Sequence, residues 1–490
     1  VITISTTTAD LTDLDTDALV VGVFKGGIEG PGASEALAAL DLDDFPVTPD
    51  FRGDVGQTLR LAAPGQPFGS LLLVGLGRMD AISPAALRLA AGEALRALPS
   101  VQRVATTLAQ VNPTRASIEA VADGLVLGGY RDTRFTSATD DSGPTAAQLL
   151  VPSSLLAEAD AAIGRSRIVC TGVSLARDMV NTPPGLAGPQ ALADMTRDAM
   201  PSTVDVQVHG MDWLVERGCG GLLQVGRGSD SDPCLVELTY EPESPVAHVV
   251  LAGKGITFDT GGLNLKPPTG MPDMKSDMGG AAAVAGALQI VGALGGRVKV
   301  TGLLAFAENA IGADAGRPSD VLTTFDGTTV EVMHTDAEGR LVLADALGYG
   351  ASMHPDVMVD VATLTGAVVV ALGPYQAGLM GNDQRVVGDL TQAAQVAGES
   401  LWHLPLPADL DRWLESEVAD VRNLGGTGPE AGSLTAGLFL QRFVGDTPWA
   451  HLDIAGPAFL SSERARGHQP AGGTGFGVST LAAFVEAQLT

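Results

Sequence analysis

The chain has 490 residues, 45% of them hydrophobic and 18% charged, enough to bury a sizeable core and too apolar for wholesale disorder. At about 150 residues per domain the length suggests two or three units. Lys and Arg number 29 against 57 Asp and Glu, a formal net charge of −28; such a surface repels phosphate backbones, argues against nucleic acid as a partner and favours cations.

Cys170, Cys219 and Cys234 form no C-x-x-C pair and no even framework, which fits buried or free thiols in a reducing compartment. No basic-then-apolar leader stands at 1–8 and no apolar run reaches 18 residues, so a cytoplasmic protein without a membrane span is expected.

In chain order, short Val/Leu-rich runs alternate with Ala-rich stretches of helical spacing, the α/β pattern. Strands are expected at 18–24, 59–63, 70–75 and 101–107, and helices at 34–42, 83–98 and 117–128. The Ser/Thr/Asp/Gly-rich stretch 136–145 reads as a surface loop. A long helix over 153–180 ends before Asn181-Thr182-Pro183-Pro184. It sets a smaller N-terminal α/β domain at 1–155, a linking helix at 156–180 and a larger α/β domain at 181–490. In the larger part strands are expected at 204–208, 235–240, 248–253, 298–306 and 357–361, and helices at 189–199, 279–294, 341–352 and 388–398.

No G-x-S-x-G elbow, H-E-x-x-H pair or phosphate-binding loop occurs. Gly75-Leu76-Gly77 lacks the third glycine of a dinucleotide fingerprint and reads as a strand-end turn. The chemistry concentrates between 252 and 347. An apolar strand runs into the glycine-rich stretch 253–262, so Lys254 and Asp259 stand at the carboxyl end of a buried strand, where α/β sheets place ligands. A glycine-rich turn with two solvated charges is the alternative. Asp277 opens the Ala-rich helix at 279–294 and can project into the same crevice; the competing reading makes Asp277 or Ser276 the N-cap.

In 334–341, Asp336 and Glu338 face one side if the chain is extended there. Two like charges on one face repel unless a cation lies between them; the alternative is an acidic capping turn. Arg340, at the start of the next helix, sets a guanidinium beside free N–H groups, an anion site. Asp259, Asp277, Asp336 and Glu338 together can bind two divalent ions, Zn²⁺, Mn²⁺ or Mg²⁺. Lys266 and Arg340 add positive charge where an oxyanion develops. The residues alone reach a two-metal hydrolase.

At these positions the sequence resembles the leucyl (cytosol) aminopeptidase family of dinuclear-metal exopeptidases. The family hallmark N-T-D-A-E-G-R-L stands as H-T-D-A-E-G-R-L at 334–341. GKGITFDTGGLNLKP at 253–267, MKSDMGGAAAV at 274–284, DVATLTGA at 360–367 and HLDIAG at 451–456 also follow the family order.

The resemblance implies that 181–490 is a catalytic metallopeptidase domain with a mixed central sheet flanked by helices. It would hydrolyse N-terminal, preferably large apolar, leucine-like residues from peptides through a two-metal-activated water, with Mn²⁺ or Zn²⁺ as the ions. Lys254, Asp259, Asp277 and Glu338 would hold one ion, and Asp259, Asp336 and Glu338 the other. Lys254 is not reached as a ligand from the residues alone, because coordination needs a neutral amine. Lys266 would polarise the scissile carbonyl, Arg340 would hold a bicarbonate-type anion as base, and the substrate's free α-amine would bind a metal.

Met274, Thr363, Gly366, Ala455 and Ala458 match family positions that shape the side-chain pocket; a methionine among small residues accepts leucine- or methionine-sized chains. A homohexamer is also implied. The departure is His334 where the family usually has Asn, on the leaving-group side; it alters preference for the second residue or titrates, unless it is a plain structural histidine. The other six histidines, His209, His248, His354, His403, His451 and His468, have no ligand spacing and read as structural. The glycine-rich loop 424–432 reads as an edge of the site. Two other classes stand beside the enzyme. A DNA-binding accessory protein is opposed by the charge, and a non-catalytic scaffold by the family residue at all seven metal and catalytic positions.

Overall fold

A computed structural model describes residues 2–42, 50–137, 143–426 and 430–488. The loop stretches 136–145 and 424–432 lie in part, at 138–142 and 427–429, outside the described residues. The chain divides into two compact units, Val1–Cys170 with Ser462–Ala471, and Thr171–Ser461 with Gly472–Thr490. The helix Leu156–Asn181 begins in the first and ends in the second.

The first unit carries a seven-stranded sheet in the order Thr3–Thr7, Ala146–Leu150, Arg103–Thr106, Ala18–Phe24, Ser70–Gly77, Thr58–Ala62, with Ile28–Glu29 paired to Ala18–Phe24. Ala18–Phe24 and Ser70–Gly77 are buried at every position, which explains their unbroken apolar runs. The edge strand Thr3–Thr7 is polar and half-exposed, and its pattern gives no strand signal. Ser83 and Thr114 cap the helices Pro84–Arg96 and Arg115–Gly128, each hydroxyl accepting a backbone N–H of the first turn.

The second unit holds an eight-stranded mixed sheet: Leu401–His403, Ala377–Gly381, Trp449–Asp453, Val357–Ala362, Ala247–Asp259, Val298–Asn309, Cys234–Tyr240, Val204–His209. Its centre is parallel, Ala247–Asp259 lying between Val298–Asn309 and Val357–Ala362. Both flanks turn antiparallel, at Cys234–Tyr240 and at Ala377–Gly381. The expected architecture of two α/β domains, the larger with a mixed central sheet, is the one observed.

Helices cover both faces of that sheet. Val250, Ala252 and Ile256 pack into one core with Leu343, Ala346 and Leu347 of the helix Gly339–Ser352. Gly253 alternates to the opposite face, where a Cβ would stand 2.5 Å from Ala281 Cα of the helix Gly279–Leu294. The glycine is there so that helix backbone can meet strand backbone. The central strand therefore continues to Asp259, and the expected end near 253 is too early. Among the described residues one stretch, Pro268–Leu294, is apolar and long enough to cross a membrane, and 83% of that window is buried inside the protein; it is a core helix.

Candidate active site

Lys254 and Asp259 lie in the C-terminal half of the central strand, not in a solvated loop. Lys254 is buried, and its Nζ stands 2.8 Å from both Asp277 Oδ1 and Glu338 Oε1. It also donates to the Thr363 carbonyl at 3.1 Å. The amine can reach that position because residue 339 is glycine: a Cβ would stand 2.4 Å from Lys254 Cε. Asp277 does not cap the helix that follows it. The N-cap position of the helix Gly279–Leu294 is Met278, without a side-chain cap bond. Asp277 instead points at Lys254 and accepts the Thr363 hydroxyl at 2.7 Å.

A second cation closes the other side. Lys266 Nζ is 2.7 Å from Asp259 Oδ2 and 2.6 Å from Asp336 Oδ1. Asp259 Oδ1 accepts from the Gly261 N–H and from Asn309 Nδ2, both at 2.8 Å. One oxygen from each of Asp259, Asp336 and Glu338 lies within 4.8 Å of the others. Asp336 and Glu338 do not converge by strand alternation. Residues 335–336 form a turn and Glu338 is already in helical conformation, at φ −82 and ψ −36, so the turn into Gly339–Ser352 swings both carboxylates inward.

Burial raises the pKa of Asp277 well above the usual carboxylate range and also raises those of Asp259 and Asp336, with neighbouring carboxylates adding to the effect. Burial pulls the Lys254 amine down, but Asp277, Glu338 and Asp259 outweigh it and hold it above the lysine range. Arg340, buried in the first turn of its helix, is pulled down to about 10 by burial against the pull of Glu338 and Asp453. Its Nη1 donates to the Asn423 carbonyl at 2.8 Å, and its Nε has no partner among the described residues.

Several supports escape sequence reading. Asn309 donates to Asp259 and, at 3.1 Å, to the Thr335 carbonyl. Asp453 Oδ1 accepts the N–H groups of Leu364 at 3.1 Å and Ala455 at 3.3 Å. That bond draws the loop bearing Thr363 and Gly366 toward Ala455. Thr363 Cγ2 and Ala458 Cβ lie side by side against Gly279, while Met274 sits one turn before Asp277. Gly366 faces open space.

His334 is half-buried, its Nδ1 accepting the Asp336 N–H at 3.2 Å. His451 pairs in the core with Asp360 at 2.6 Å, and His209 with Glu237 at 3.0 Å. The three cysteines are buried thiols, none in a disulfide.

The donor set fits divalent cations. Asp277 Oδ2 and Glu338 Oε2 are buried with no hydrogen-bond partner among the described residues, and a buried carboxylate oxygen needs a donor or a cation. Residues 174–482 match the catalytic domain of the cytosol aminopeptidase family, and 20–139 match its N-terminal domain. The chain belongs to the cytosol aminopeptidase family.

A probable cytosol aminopeptidase of Micrococcus luteus is 43% identical over 500 residues, covering 97% of each chain. One of Roseiflexus castenholzii is 40% identical over 489 residues, covering 98% of each. A solved tomato leucine aminopeptidase mutant matches with a TM-score of 0.88 at 31% identity, over 99% of this chain and 96% of that one. The bottromycin maturation enzyme BotP in complex with Mn matches at 0.85 and 37%, over 97% and 100%. This aminopeptidase is thus a metallo-exopeptidase whose substrates are peptides.

Proposed function

We propose that the enzyme releases N-terminal, preferably large apolar, leucine-like residues, using two divalent ions, Mn²⁺ or Zn²⁺. The observation that carries this is the convergence of Asp259, Asp277, Asp336 and Glu338 on two ammonium groups at 2.6–2.8 Å, with Asp277 Oδ2 and Glu338 Oε2 buried and unpaired among the described residues. Lys254, Asp259, Asp277 and Glu338 would hold one ion, and Asp259, Asp336 and Glu338 the other. When bound, such a pair supplies Lewis acidity and a lowered pKa for water.

With an ion bound in place of the ammonium's charge, Lys254 would serve as a neutral ligand, its proton having passed to solvent water. Lys266, with a side chain 17% exposed, is the cation nearest solvent; released from its carboxylates, it donates to the scissile carbonyl oxygen as charge develops there. Arg340 would hold a bicarbonate-type anion, which would supply a base for the water's proton. Met274, Thr363, Gly366, Ala455 and Ala458 shape a pocket without charge, which favours apolar side chains. The resemblance also implies a homohexamer, and the names of the relatives support a cytosolic location.

The test is hydrolysis of amino-acid amide chromogens by chelator-treated protein, with and without Mn²⁺ or Zn²⁺. Leucine amide is expected to be cleaved only after reloading, its N-acetyl form not at all, and glutamate amide at least tenfold more slowly by kcat/KM, about 1.4 kcal/mol of discrimination. Cleavage of the acetylated form removes the exopeptidase reading; preference for the acidic amide removes only the pocket assignment.

A further inference from the structure

We propose that Asn423 is a positioning residue of the reaction, fastening the turn that carries Asp336 and Glu338 and, through its own carbonyl, Arg340. It rests on the two-ion reading above. Asn423 follows the short strand Val421–Arg422, which pairs in parallel with Thr329–Glu331. Its N–H extends that pairing to the Glu331 carbonyl at 3.0 Å.

The side chain then takes over where the ladder stops. Oδ1 accepts the Met333 N–H at 2.7 Å and faces the His334 N–H at 3.4 Å. Nδ2 donates to the carbonyls of His334 at 2.9 Å and Ala337 at 3.2 Å. The residue is fully buried, and backbone donors on one side with backbone acceptors on the other leave one orientation for the amide. Its carbonyl receives Arg340 Nη1 at 2.8 Å. One residue from a distant strand thus holds both ends of 333–337.

Its hold is one-sided. Lys254 and Asp277 are tied to Thr363, and no bond from Asn423 reaches either. Glu338 is shared, since Lys254 Nζ stands 2.8 Å from its Oε1, so disturbing Asn423 perturbs the Asp336 side most and reaches the Lys254–Asp277 side only through Glu338.

Asn423→Asp keeps the shape but turns an oxygen toward two carbonyls; Asn423→Ala removes the amide. Asp420→Ala is the control, because Asp420 Oδ2 accepts the N–H and hydroxyl of Thr329 at 2.8 and 2.6 Å on the same small sheet without touching 333–337. Mn²⁺ is titrated into each chelator-treated protein by calorimetry, with metal analysis and Mn²⁺ spin resonance of the product.

Wild-type protein is expected to bind two ions. Both Asn423 variants bind one ion about 10- to 100-fold more weakly, losing the spin-coupled signal, and hold the other within a few-fold of wild type. Their kcat on leucine amide falls in proportion while KM stays within about threefold; Asp420→Ala behaves as wild type. Wild-type affinity for both ions in either Asn423 variant, parallel loss of both ions, failure of both variants to fold, or the same selective loss in Asp420→Ala overturns the inference. Wild-type protein that binds fewer than two ions overturns the two-ion reading itself, and the inference with it.

Discussion

Lys266 touches two carboxylates of unequal burial, Asp259 and the more exposed Asp336. The two acids hold its amine above the lysine range despite burial, so it is an ammonium at any working pH and suited to stabilise an oxyanion. Lys266→Ala is expected to lower kcat about 10²- to 10³-fold, the usual cost of removing one oxyanion donor. Mn²⁺ should bind at least as tightly to this variant, since a competing cation has gone. Steady-state kinetics beside a Mn²⁺ titration check both; a kcat within a few-fold of wild type removes Lys266 from the chemistry.

At this scale the charged residues were legible because four acids and three bases of the site cluster in under 90 residues of sequence, in 254–340. Asn309 and Asn423 were not. A neutral amide inside an ordinary strand context carries no charge pattern, and its importance lies wholly in whose backbone it bonds.

The elements show where pattern reading stops. Strand periodicity located Ala247–Asp259, but its C-terminal half looks like a loop because glycine there reflects a helix packed on bare backbone. The turn at 335–336 looks extended because two acids at i and i+2 suit a strand equally well.

The helix Gly339–Ser352 is also held by a buried charge with no catalytic part. Asp345 Oδ2 accepts the Leu222 N–H at 2.8 Å and Oδ1 the Phe325 N–H at 3.0 Å, tying that helix to Gly220–Gly226 and to the end of Val321–Thr323. Burial raises its pKa to about 7 against those bonds. An unfolded aspartate ionises near 4, so between about pH 4 and 7 only the unfolded chain has lost this proton. Stability from this group is full below that window, falls by about 1.4 kcal/mol per pH unit across it, and levels off above it. Asp345→Asn cannot titrate and lacks one acceptor, at a cost of about 1–3 kcal/mol. Urea midpoints at pH 5 and 7.5 in chelator should separate more for wild type than for the variant; parallel shifts would show that Asp345 is ionised throughout.

Across the whole molecule, one grouping escapes any composition signal. Ser462–Ala471 clusters with the first unit, where the Gly467 N–H donates to Glu93 and a Cβ at Gly92 would stand 2.3 Å from the His468 nitrogen. Such packing across nearly 400 positions leaves no local trace.

The net charge of −28 also acts at this scale, and it separates from the buried site by its response to salt. Surface repulsion is screened as the Debye length falls from about 30 Å at 0.01 M to about 10 Å at 0.1 M, so KCl should raise Tm. Mn²⁺ held at a defined site instead stabilises by mass action, about 2.7 kcal/mol at a hundredfold excess over Kd, or several degrees. Glu338 tells the two apart. It is buried, with Oε1 on Lys254 and Oε2 unpaired, so Glu338→Gln removes one site charge and leaves the surface unchanged. The variant should gain the same Tm from KCl as wild type and almost none from Mn²⁺ in 0.1 M KCl. If Mn²⁺ raises both proteins alike, the ions are held by the diffuse acidic surface, and the convergence of carboxylates around Lys254 and Lys266 is a salt-bridge network with no metal in it.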